Sequence, residues 1–148
     1  MAGQTKFTNL IIRSVISEQT YLLRHTVLWP DKPVDYVKVE NDAEGHHYGA
    51  FIDEELIAVI SLFVRQQENN PGSARFRKFA VHPDYQRKGI GTQLMEYVIA
   101  EARRLCASDL WCDARLESAD FYRRLDMKAV SEVFYKGSIP YARFSRTL

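Results

Sequence analysis

Arg77-Lys-Phe-Ala-Val-His-Pro-Asp-Tyr-Gln-Arg-Lys-Gly-Ile-Gly-Thr92 is the stretch of sequence that decides how the rest of the chain folds. Its apolar run at 79–81 ends at His82-Pro83, which predicts a buried strand, because the residue before a proline disfavours helix. Gly89 and Gly91 then open a long pattern of apolar residues at helical spacing. The stretch therefore predicts a strand, a glycine-containing turn and an amphipathic helix.

The turn between this strand and this helix has the chemistry of an anion-binding site. The first N–H groups of a helix lack partners within the helix and lie at the positive end of its dipole. Glycines at such a turn let the backbone approach a phosphate without an intervening Cβ. Arg87 and Lys88 add two cations beside the turn, although both are also compatible with solvated surface charges. We expect a phosphate group to bind here.

Two segments carry a resemblance to a known family. Gln-Arg-Lys-Gly-Ile-Gly at 86–91 fits the Gln/Arg-x-x-Gly-x-Gly/Ala signature of the GNAT superfamily of N-acyltransferases. Arg-Leu-Glu-Ser-Ala-Asp-Phe-Tyr-Arg-Arg-Leu at 115–125 resembles the Asn-x-x-Ala-x-x-x-Tyr-x-x-x-Gly-Phe segment of the same family. The order of elements agrees as well, so the chain resembles a small bacterial-type N-acetyltransferase of this superfamily over residues 9–147.

The second segment departs from the family pattern at three places. Arg115 and Ser118 stand where the family has Asn and Ala, and Asp126-Met127 replaces Gly-Phe. Aspartate tolerates a left-handed backbone better than most residues, so the helix can still end at this point. We therefore expect the family fold to survive these changes, whereas they weaken any inference about the substrate.

The resemblance implies the fold class: α/β (α+β), with a mixed, mostly antiparallel central sheet of about seven strands flanked by about four helices. Strands four and five would splay apart, and the pantetheine arm of the cofactor would enter the gap between them. Periodicity and turn signals predict strands at 9–15, 46–53, 56–64, 74–82, 109–114, 127–135 and 141–147, helices at 18–28, 90–105 and 117–125, and a turn at 69–73.

Composition indicates a soluble globular chain of one domain, residues 1–148. The net charge is +1 and 46% of the residues are hydrophobic, which predicts neither nucleic-acid nor membrane binding. Cys106 and Cys112 are too few for a disulfide scaffold and lack metal-ligand spacing, so we expect a cytoplasmic protein without a metal. The sequence has no Gly-x-x-x-x-Gly-Lys-Ser/Thr motif, which excludes a P-loop nucleotide enzyme.

The resemblance also implies which residues bind acetyl-CoA, the expected acyl donor. Backbone amides of the turn would hold its diphosphate and the strand before the turn would run along its pantetheine. These cofactor-binding residues are Phe79, Ala80, Val81, Gln86, Arg87, Lys88, Gly89, Ile90, Gly91, Thr92, Arg115, Ser118 and Tyr122. Arg115 has two alternatives: it can clamp a carboxylate-bearing acceptor, or it can pair with Glu117 or Asp113.

Transfer of the acyl group needs an acid, a base and a donor to the oxyanion. Tyr122 is the predicted catalytic acid, because a phenol is protonated at pH 7 and can donate to a departing thiolate; the alternative is that it only packs its helix. The Val81 amide would meet the oxyanion. Asp113 is the predicted catalytic base, with His47 and His82 as alternative relays. An acyl-enzyme on Cys112 is disfavoured, since a buried cysteine is usually inert.

The acceptor cannot be identified from the sequence, although residues 24–45 and 136–141 are expected to shape its site. Residues 31–45 contain five carboxylates and two lysines, which would suit a cationic amine, or would simply form a solvated surface loop. The resulting hypothesis is acetyl transfer from acetyl-CoA to a primary amine by direct attack in a ternary complex. The alternative is a non-catalytic acyl-CoA-binding module, and relatives that form homodimers make a homodimer compatible with either.

Overall fold

The fold is built on one mixed sheet, seen in a computed structural model that describes residues 9–67 and 70–148. Within these residues the sheet has eight strands. Their bounds are β1 Leu10–Val15, β2 His46–Ile52, β3 Glu55–Gln67, β4 Asn70–Val81, β5 Asp109–Arg115, β6 Lys128–Ala129, β7 Phe134–Lys136 and β8 Ile139–Thr147.

Three α-helices flank the sheet in the described part of the chain, where we expected about four helices. They are α1 Ser17–Leu23, α2 Ile90–Arg104 and α3 Ala119–Arg123. A π-helical turn, Arg24–Leu28, extends α1, so the predicted helix at 18–28 is confirmed in extent although its last part is wider than an α-helix. Short 3₁₀ turns occupy Val34–Val37, Asp42–Glu44, Pro83–Tyr85 and Leu116–Ser118.

The strand order confirms the predicted fold class. The strands run β1-β2-β3-β4-β5-β8-β6, and β7 also pairs with β8. The β4–β5 pair is parallel and all the other pairs are antiparallel. Because α2 connects the two parallel strands, this pair is a βαβ crossover, as the sequence predicts.

The parallel strands β4 and β5 are paired over only three residues of each strand. Ser73, Ala74 and Arg75 lie opposite residues 109–111. Beyond that point β4 continues to Val81 and β5 to Arg115 with no pairing between them. The two strands therefore splay apart toward their carboxyl ends, as expected, and leave a gap in the middle of the sheet.

A bulge in β4 lies beside this gap. Ser61 pairs with Arg77 and Val59 pairs with Ala80, so two residues of β4 lie opposite the single residue between Val59 and Ser61. One of the two, Lys78, has a positive φ of 56°. A bulge bends its strand and redirects the side chains around it, which breaks the alternation that a regular strand would show.

Strand β3 and helix α2 form the centre of the core. Residues 57–62 of β3 are all buried, which confirms the prediction of a strand covered on both faces. On one face the sheet packs against the apolar side of α2, including Leu94 and Val98. A smaller cluster joins Leu23 of α1 to Val59 and Ala80.

Two predicted strand boundaries are wrong. The predicted strand at 127–135 is two short strands. The Val130 N–H still bonds the Arg143 carbonyl at 2.8 Å, but the Arg143 N–H goes to the Ser131 hydroxyl, also at 2.8 Å, and the backbone ladder ends there. Strand β4 begins at Asn70 rather than at 74. Of the predicted turn at 69–73, residues 70–73 belong to this strand, and Asn69 lies outside the described residues.

Asp126 takes the role that glycine has in the family. Its φ is +61°, and the N–H groups of Asp126 and Met127 bond to the carbonyls of Arg123 and Tyr122 at 3.1 Å. The prediction that an aspartate can end this helix in a left-handed conformation is confirmed.

A buried ion pair connects the acidic segment, residues 31–45, to the rest of the fold. Arg24 is fully buried, and its two terminal nitrogens lie 2.9 Å from the two carboxylate oxygens of Asp42. Arg24 also donates to the Ser61 hydroxyl at 2.9 Å, and His47 bonds that hydroxyl and the Asp42 carbonyl. Burial raises the pKa of Asp42, but hydrogen bonds from Arg24 and the Val39 N–H outweigh it and leave the pKa lowered.

Replacing Asp42 with asparagine should therefore destabilise the protein strongly. The change keeps the size of the side chain but leaves the Arg24 charge buried without a counter-charge, which typically costs about 3–5 kcal/mol. We expect a loss of this size in the free energy of unfolding measured by urea titration at pH 7. Asp35→Asn is the matched control, since Asp35 pairs with Lys38 at an exposed site worth about 1 kcal/mol or less; equal losses in the two variants would contradict the network.

Candidate active site

Two cavities adjoin the gap between β4 and β5, and the larger of this pair lies where β4 ends and α2 begins. Its volume is about 590 Å³, within the range of small-molecule sites. It runs from the end of β4, across the turn before α2, to the face of α3. The predicted residues that line it are Phe79, Ala80, Val81, Gln86, Arg87, Gly89, Gly91, Thr92, Ser118 and Tyr122.

The turn before α2 has the backbone that an anion site requires. Gly89 caps α2 with a left-handed φ of 84°, and Arg87 has a φ of 61°. The Gln86 side chain donates to the Val81 carbonyl at 2.8 Å and so ties the turn to the end of β4. Gly89, Gly91 and Thr92 line the larger cavity, so the start of this 15-residue helix, whose first N–H groups lack partners within the helix, lies at its wall.

Gly91 is required by close packing and not by its backbone angles. A Cβ built on Gly91 would lie 3.2 Å from Cζ of Phe79 and 3.7 Å from Cζ of Phe121. The rings of Phe79 and Phe121 are 5.9 Å apart. A Cβ at position 91 would require the Phe79 ring to move by a few tenths of an ångström, so glycine lets the start of the helix pack closely against this ring.

The Val81 amide points into the gap between β4 and β5. The His82 N–H bonds the Ile57 carbonyl at 2.8 Å, and pairs in an antiparallel ladder alternate between those that exchange hydrogen bonds and those that do not. The backbone groups of Val81, one residue earlier, therefore point away from β3. This is the orientation that the oxyanion role predicted for Val81 requires.

Three residues predicted to bind the cofactor do not line the larger cavity. The side chain of Ile90 is buried in the core, so only its backbone faces the turn. Lys88 is exposed, with its amine 5.9 Å from the centre of the Tyr85 ring. Arg115 lines a second cavity, because it lies at the end of β5, and its guanidinium is 5.4 Å from the centre of the Trp29 ring.

The second, smaller cavity has a volume of about 180 Å³ and lies further back along the gap between β4 and β5. Residues 75–79 of β4 form one wall, and residues of β5 form the opposite wall. Leu28, Trp29, Lys136 and Tyr141 close its outer side; these come from the two regions expected to shape the acceptor site. Phe79, Ser118 and Tyr122 line both cavities, so the cavities meet at these three side chains.

Tyr122 stands at this junction and is 7% exposed. Its ring packs against those of Phe76, Phe121 and Phe144, with centres 5.1–5.9 Å apart, and no residue in the described ranges hydrogen-bonds its hydroxyl. Burial, and to a lesser degree the nearby Cys112 thiol, raise the pKa of the phenol. Tyr122 is therefore a protonated donor that both cavities share.

Residues 15–127 match the sequence pattern of the Acetyltransferase (GNAT) family. The chain belongs to this family. It is 28% identical over 129 residues to the uncharacterised N-acetyltransferase YitI of Bacillus subtilis, an alignment that covers 84% of this chain and 87% of the relative.

Solved structures of other GNAT proteins have the same fold. A GNAT acetyltransferase from Elizabethkingia anophelis with acetyl-CoA bound superimposes with a TM-score of 0.73 at 18% identity, covering 96% of this chain and all of the other. A Bacillus subtilis acetyltransferase in complex with CoA gives 0.70 at 20% identity, covering 95% and 98% of the two chains.

Asp113 of this GNAT domain is held by two arginines. Arg143 binds both oxygens of its carboxylate, at 2.9 and 3.3 Å, and Arg75 donates to it at 3.2 Å. Both guanidinium groups also lie over the Trp111 ring, 4.0 and 4.5 Å from its centre. Both oxygens of the carboxylate are thus engaged by arginine N–H groups, which leaves neither of them free to contact an attacking amine, as the predicted base would have to.

The remaining candidates differ in their access to the GNAT cavities. His47 belongs to the buried Arg24–Asp42 network, and the His82 ring accepts the Asp84 N–H; neither lines a cavity. Cys112 does line the smaller cavity, but burial raises the pKa of its thiol far above the usual range. A neutral, buried thiol is a poor nucleophile, which agrees with the expectation against an acyl-cysteine.

Three cationic residues at the cavities were not predicted from the sequence. Arg124 lines the larger cavity, as Arg87 does, and its place two residues after Tyr122 could have indicated it. Arg77 and Lys78 line the smaller cavity, where the bulge in β4 places both; this bulge has no local sequence signal. In the described part of the chain, no cluster of three or more His, Cys, Asp or Glu side chains could hold a metal, and no helix is long and apolar enough to cross a bilayer.

Lys78 carries a charge in an unfavourable environment. Burial, followed by the charges of Arg77, Arg24 and Lys136, lowers its pKa to about 8 from the ordinary value of 10.5. The folded protein therefore binds this proton less tightly than the unfolded chain does. The resulting destabilisation is complete below about pH 8, falls as the pH rises, and is gone above about pH 10.5.

Lys78→Met should accordingly stabilise the protein at pH 7 while keeping most of the side-chain volume. We expect the thermal midpoint to rise by a few degrees, since about 1 kcal/mol corresponds to about 2–4 °C in a domain of this size. The difference from the parent should shrink between pH 8 and pH 10. The exposed Lys128→Met serves as control, and a gain for Lys78→Met that does not change with pH would contradict the assignment.

Proposed function

We propose that this GNAT domain transfers an acetyl group from acetyl-CoA to a primary amine by direct attack within a ternary complex. The observation that carries the proposal is the pair of cavities that meet at Tyr122. The larger cavity begins at a helix N-terminus suited to a diphosphate. The smaller cavity is suited to an acceptor, because its walls come from the gap between the strands and from residues 28–29 and 136–141.

The larger cavity supports binding of the nucleotide part of acetyl-CoA. Main-chain N–H groups from Gln86 to Thr92 would hold the diphosphate, with Arg87 and Arg124 as flanking cations. The pantetheine would lie along residues 79–81, where β4 has no partner on the side of β5. Ser118 and Tyr122 would then contact the thioester end.

The chemical step joins the amine nitrogen to the thioester carbonyl carbon. The nitrogen lone pair forms the C–N bond, and the tetrahedral oxyanion accepts the Val81 N–H. The C–S bond then breaks with its electron pair on sulfur, and Tyr122 donates a proton to give CoA thiol. The amine loses its extra proton to solvent, and Tyr122 regains one, so an acceptor that starts as an ammonium releases one proton per turnover.

In this proposal Asp113 positions other groups and does not act as the base. Its ion pairs with Arg75 and Arg143 engage both carboxylate oxygens and would fix the Arg75 guanidinium at the wall of the smaller cavity. This assignment replaces the base role that the sequence suggested. The alternative function, a non-catalytic acyl-CoA-binding module, needs the larger cavity alone and leaves Tyr122 as a packing residue.

Acetyl-CoA should raise the thermal midpoint of the protein. A ligand at 100 times its dissociation constant adds about 2.7 kcal/mol, or about 5–10 °C for a domain of this size. Differential scanning fluorimetry with acetyl-CoA up to millimolar concentration measures the shift. If the midpoint does not move, neither the transferase nor the binding-module proposal can stand.

Arg87→Glu should weaken acetyl-CoA binding by about 10–100-fold, because it removes a charge-assisted contact worth about 1.5–3 kcal/mol and places a carboxylate near the phosphates. Isothermal titration calorimetry gives the dissociation constants. Arg103→Glu is the matched control, since Arg103 lies exposed on α2 and lines neither cavity. Equal affinities for the two variants would contradict the position assigned to the diphosphate.

Tyr122→Phe should lower turnover by about a hundredfold or more with little change in acetyl-CoA affinity or stability, since the ring contacts with Phe76 and Phe144 are kept. CoA release with an accepted amine measures turnover. Tyr48→Phe is the control, because Tyr48 is equally buried but its hydroxyl donates to Glu101, outside both cavities. Unchanged turnover in Tyr122→Phe would return this residue to a packing role.

A further inference from the structure

The smaller cavity carries a large excess of positive charge. One carboxylate, that of Asp113, lines it together with five cationic side chains: Arg75, Arg77, Lys78, Arg115 and Lys136. The carboxylate is 9% exposed and is bound by Arg75 and by Arg143, which stands outside the lining. The single negative charge is therefore already neutralised, and the other cations face the cavity without it.

Three of these cations have no counter-ion among the residues that the structure describes. Among residues 9–67 and 70–148, no carboxylate oxygen lies within 4.0 Å of the side-chain nitrogens of Arg77, Lys78 or Lys136. Lys136 lies over the Tyr141 ring, 4.6 Å from its centre. In the same part of the chain, the Nε of Arg75 is buried and has no hydrogen-bond partner.

These cations also repel one another. The pKa values of Lys78, Lys136 and Arg75 are all lowered, first by burial and further by neighbouring cations, in each case including Arg77. A solvated surface patch would not show this, because water screens exposed charges. The repulsion among these cations lowers the stability of the folded protein, and an anion bound in the cavity would reduce that repulsion.

We propose that the acceptor is a small amine that also carries an anionic group, a carboxylate or a phosphate, held by Arg77, Lys136 and Lys78 in the smaller cavity. The proposal rests on the proposed function and names its substrate class. A volume of about 180 Å³ suits a molecule of amino-acid size. Arg115 and Trp29 would bound the organic part of the acceptor, and its amine would point toward Tyr122.

The acidic segment at 31–45 does not oppose this proposal. The carboxylate of Asp42 in this segment forms the buried ion pair with Arg24, and that of Asp35 forms an exposed ion pair with Lys38. None of its carboxylates lines the smaller cavity. The suggestion of a cationic acceptor, drawn from the composition of this segment, therefore loses its support once the positions of the charges are known.

Matched pairs of amines test the substrate class directly. The probes are the common amino acids against their carboxamides, and O-phosphoethanolamine against ethanolamine, with CoA release as the readout. We expect kcat/KM at least tenfold higher for the anionic member of an accepted pair, and the two series distinguish carboxylate from phosphate. Carboxamides or ethanolamine used as well as their anionic partners would overturn the proposal.

Two variants identify the cations. Arg77→Gln and Lys136→Gln should each raise KM for the accepted anionic amine by about tenfold, the effect of losing one charged hydrogen bond, with the acetyl-CoA dissociation constant unchanged. Lys128→Gln, on the exposed strand β6, is the control and should change neither. Weaker acetyl-CoA binding in the two variants would show that the cations bind the acyl donor, and the proposal would fail. The proposal would also fail if the enzyme preferred succinyl-CoA over acetyl-CoA and Arg77→Gln abolished that preference.

A binding measurement separates this inference from the proposed function. The same probes should raise the thermal midpoint more than their neutral partners do, with or without acetyl-CoA, and Arg77→Gln should remove the difference. No difference within any pair, in either binding or turnover, overturns the inference even when acetyl-CoA binds. Failure of acetyl-CoA to bind refutes the proposed function, and the probe series alone then decides whether the cavity selects anions.

Discussion

The early end of pairing between β4 and β5 is the constraint on which the rest of the structure depends. After Arg75 and Trp111 the two strands have no backbone contact with each other, so their N–H and C=O groups are left for other partners. Buried backbone groups are rarely left unpaired, and a sheet opened in its middle therefore favours a ligand that supplies hydrogen bonds. Both cavities, and the orientation of the Val81 amide, follow from this opening.

Electrostatics divides the opening into two parts. At the larger cavity, positive potential comes mainly from the backbone at the start of α2, with Arg87 and Arg124 beside it. At the smaller cavity it comes from side chains on β4 and near β8, which burial makes more effective because water is excluded. In the proposed function the same sign of charge would serve two different purposes, binding of a diphosphate on one side of Tyr122 and of the acceptor on the other.

The sequence predicted the strand, glycine turn and helix beside the larger cavity, because these are local patterns with a local cause, whereas the fold class and most residues of that cavity came from the resemblance to the GNAT superfamily. It did not predict the bulge at Lys78, whose cause is the register between β3 and β4, nor the ion pairs of Asp113, which join residues 30 and 38 positions apart. The strand predicted at 127–135 failed for a similar reason, since Ser131 competes with the backbone of a distant strand. The single domain and the homodimer stay predictions.

The junction at Phe79, Ser118 and Tyr122 has a kinetic consequence. In the proposed ternary complex both cavities, which share these three side chains, would be occupied at once, so neither substrate would have to wait for a product to depart. Double-reciprocal plots of initial rate would then intersect instead of running parallel. Spent CoA and an unreacted amine can also reside together, so an excess of acceptor would trap the enzyme in an unproductive complex.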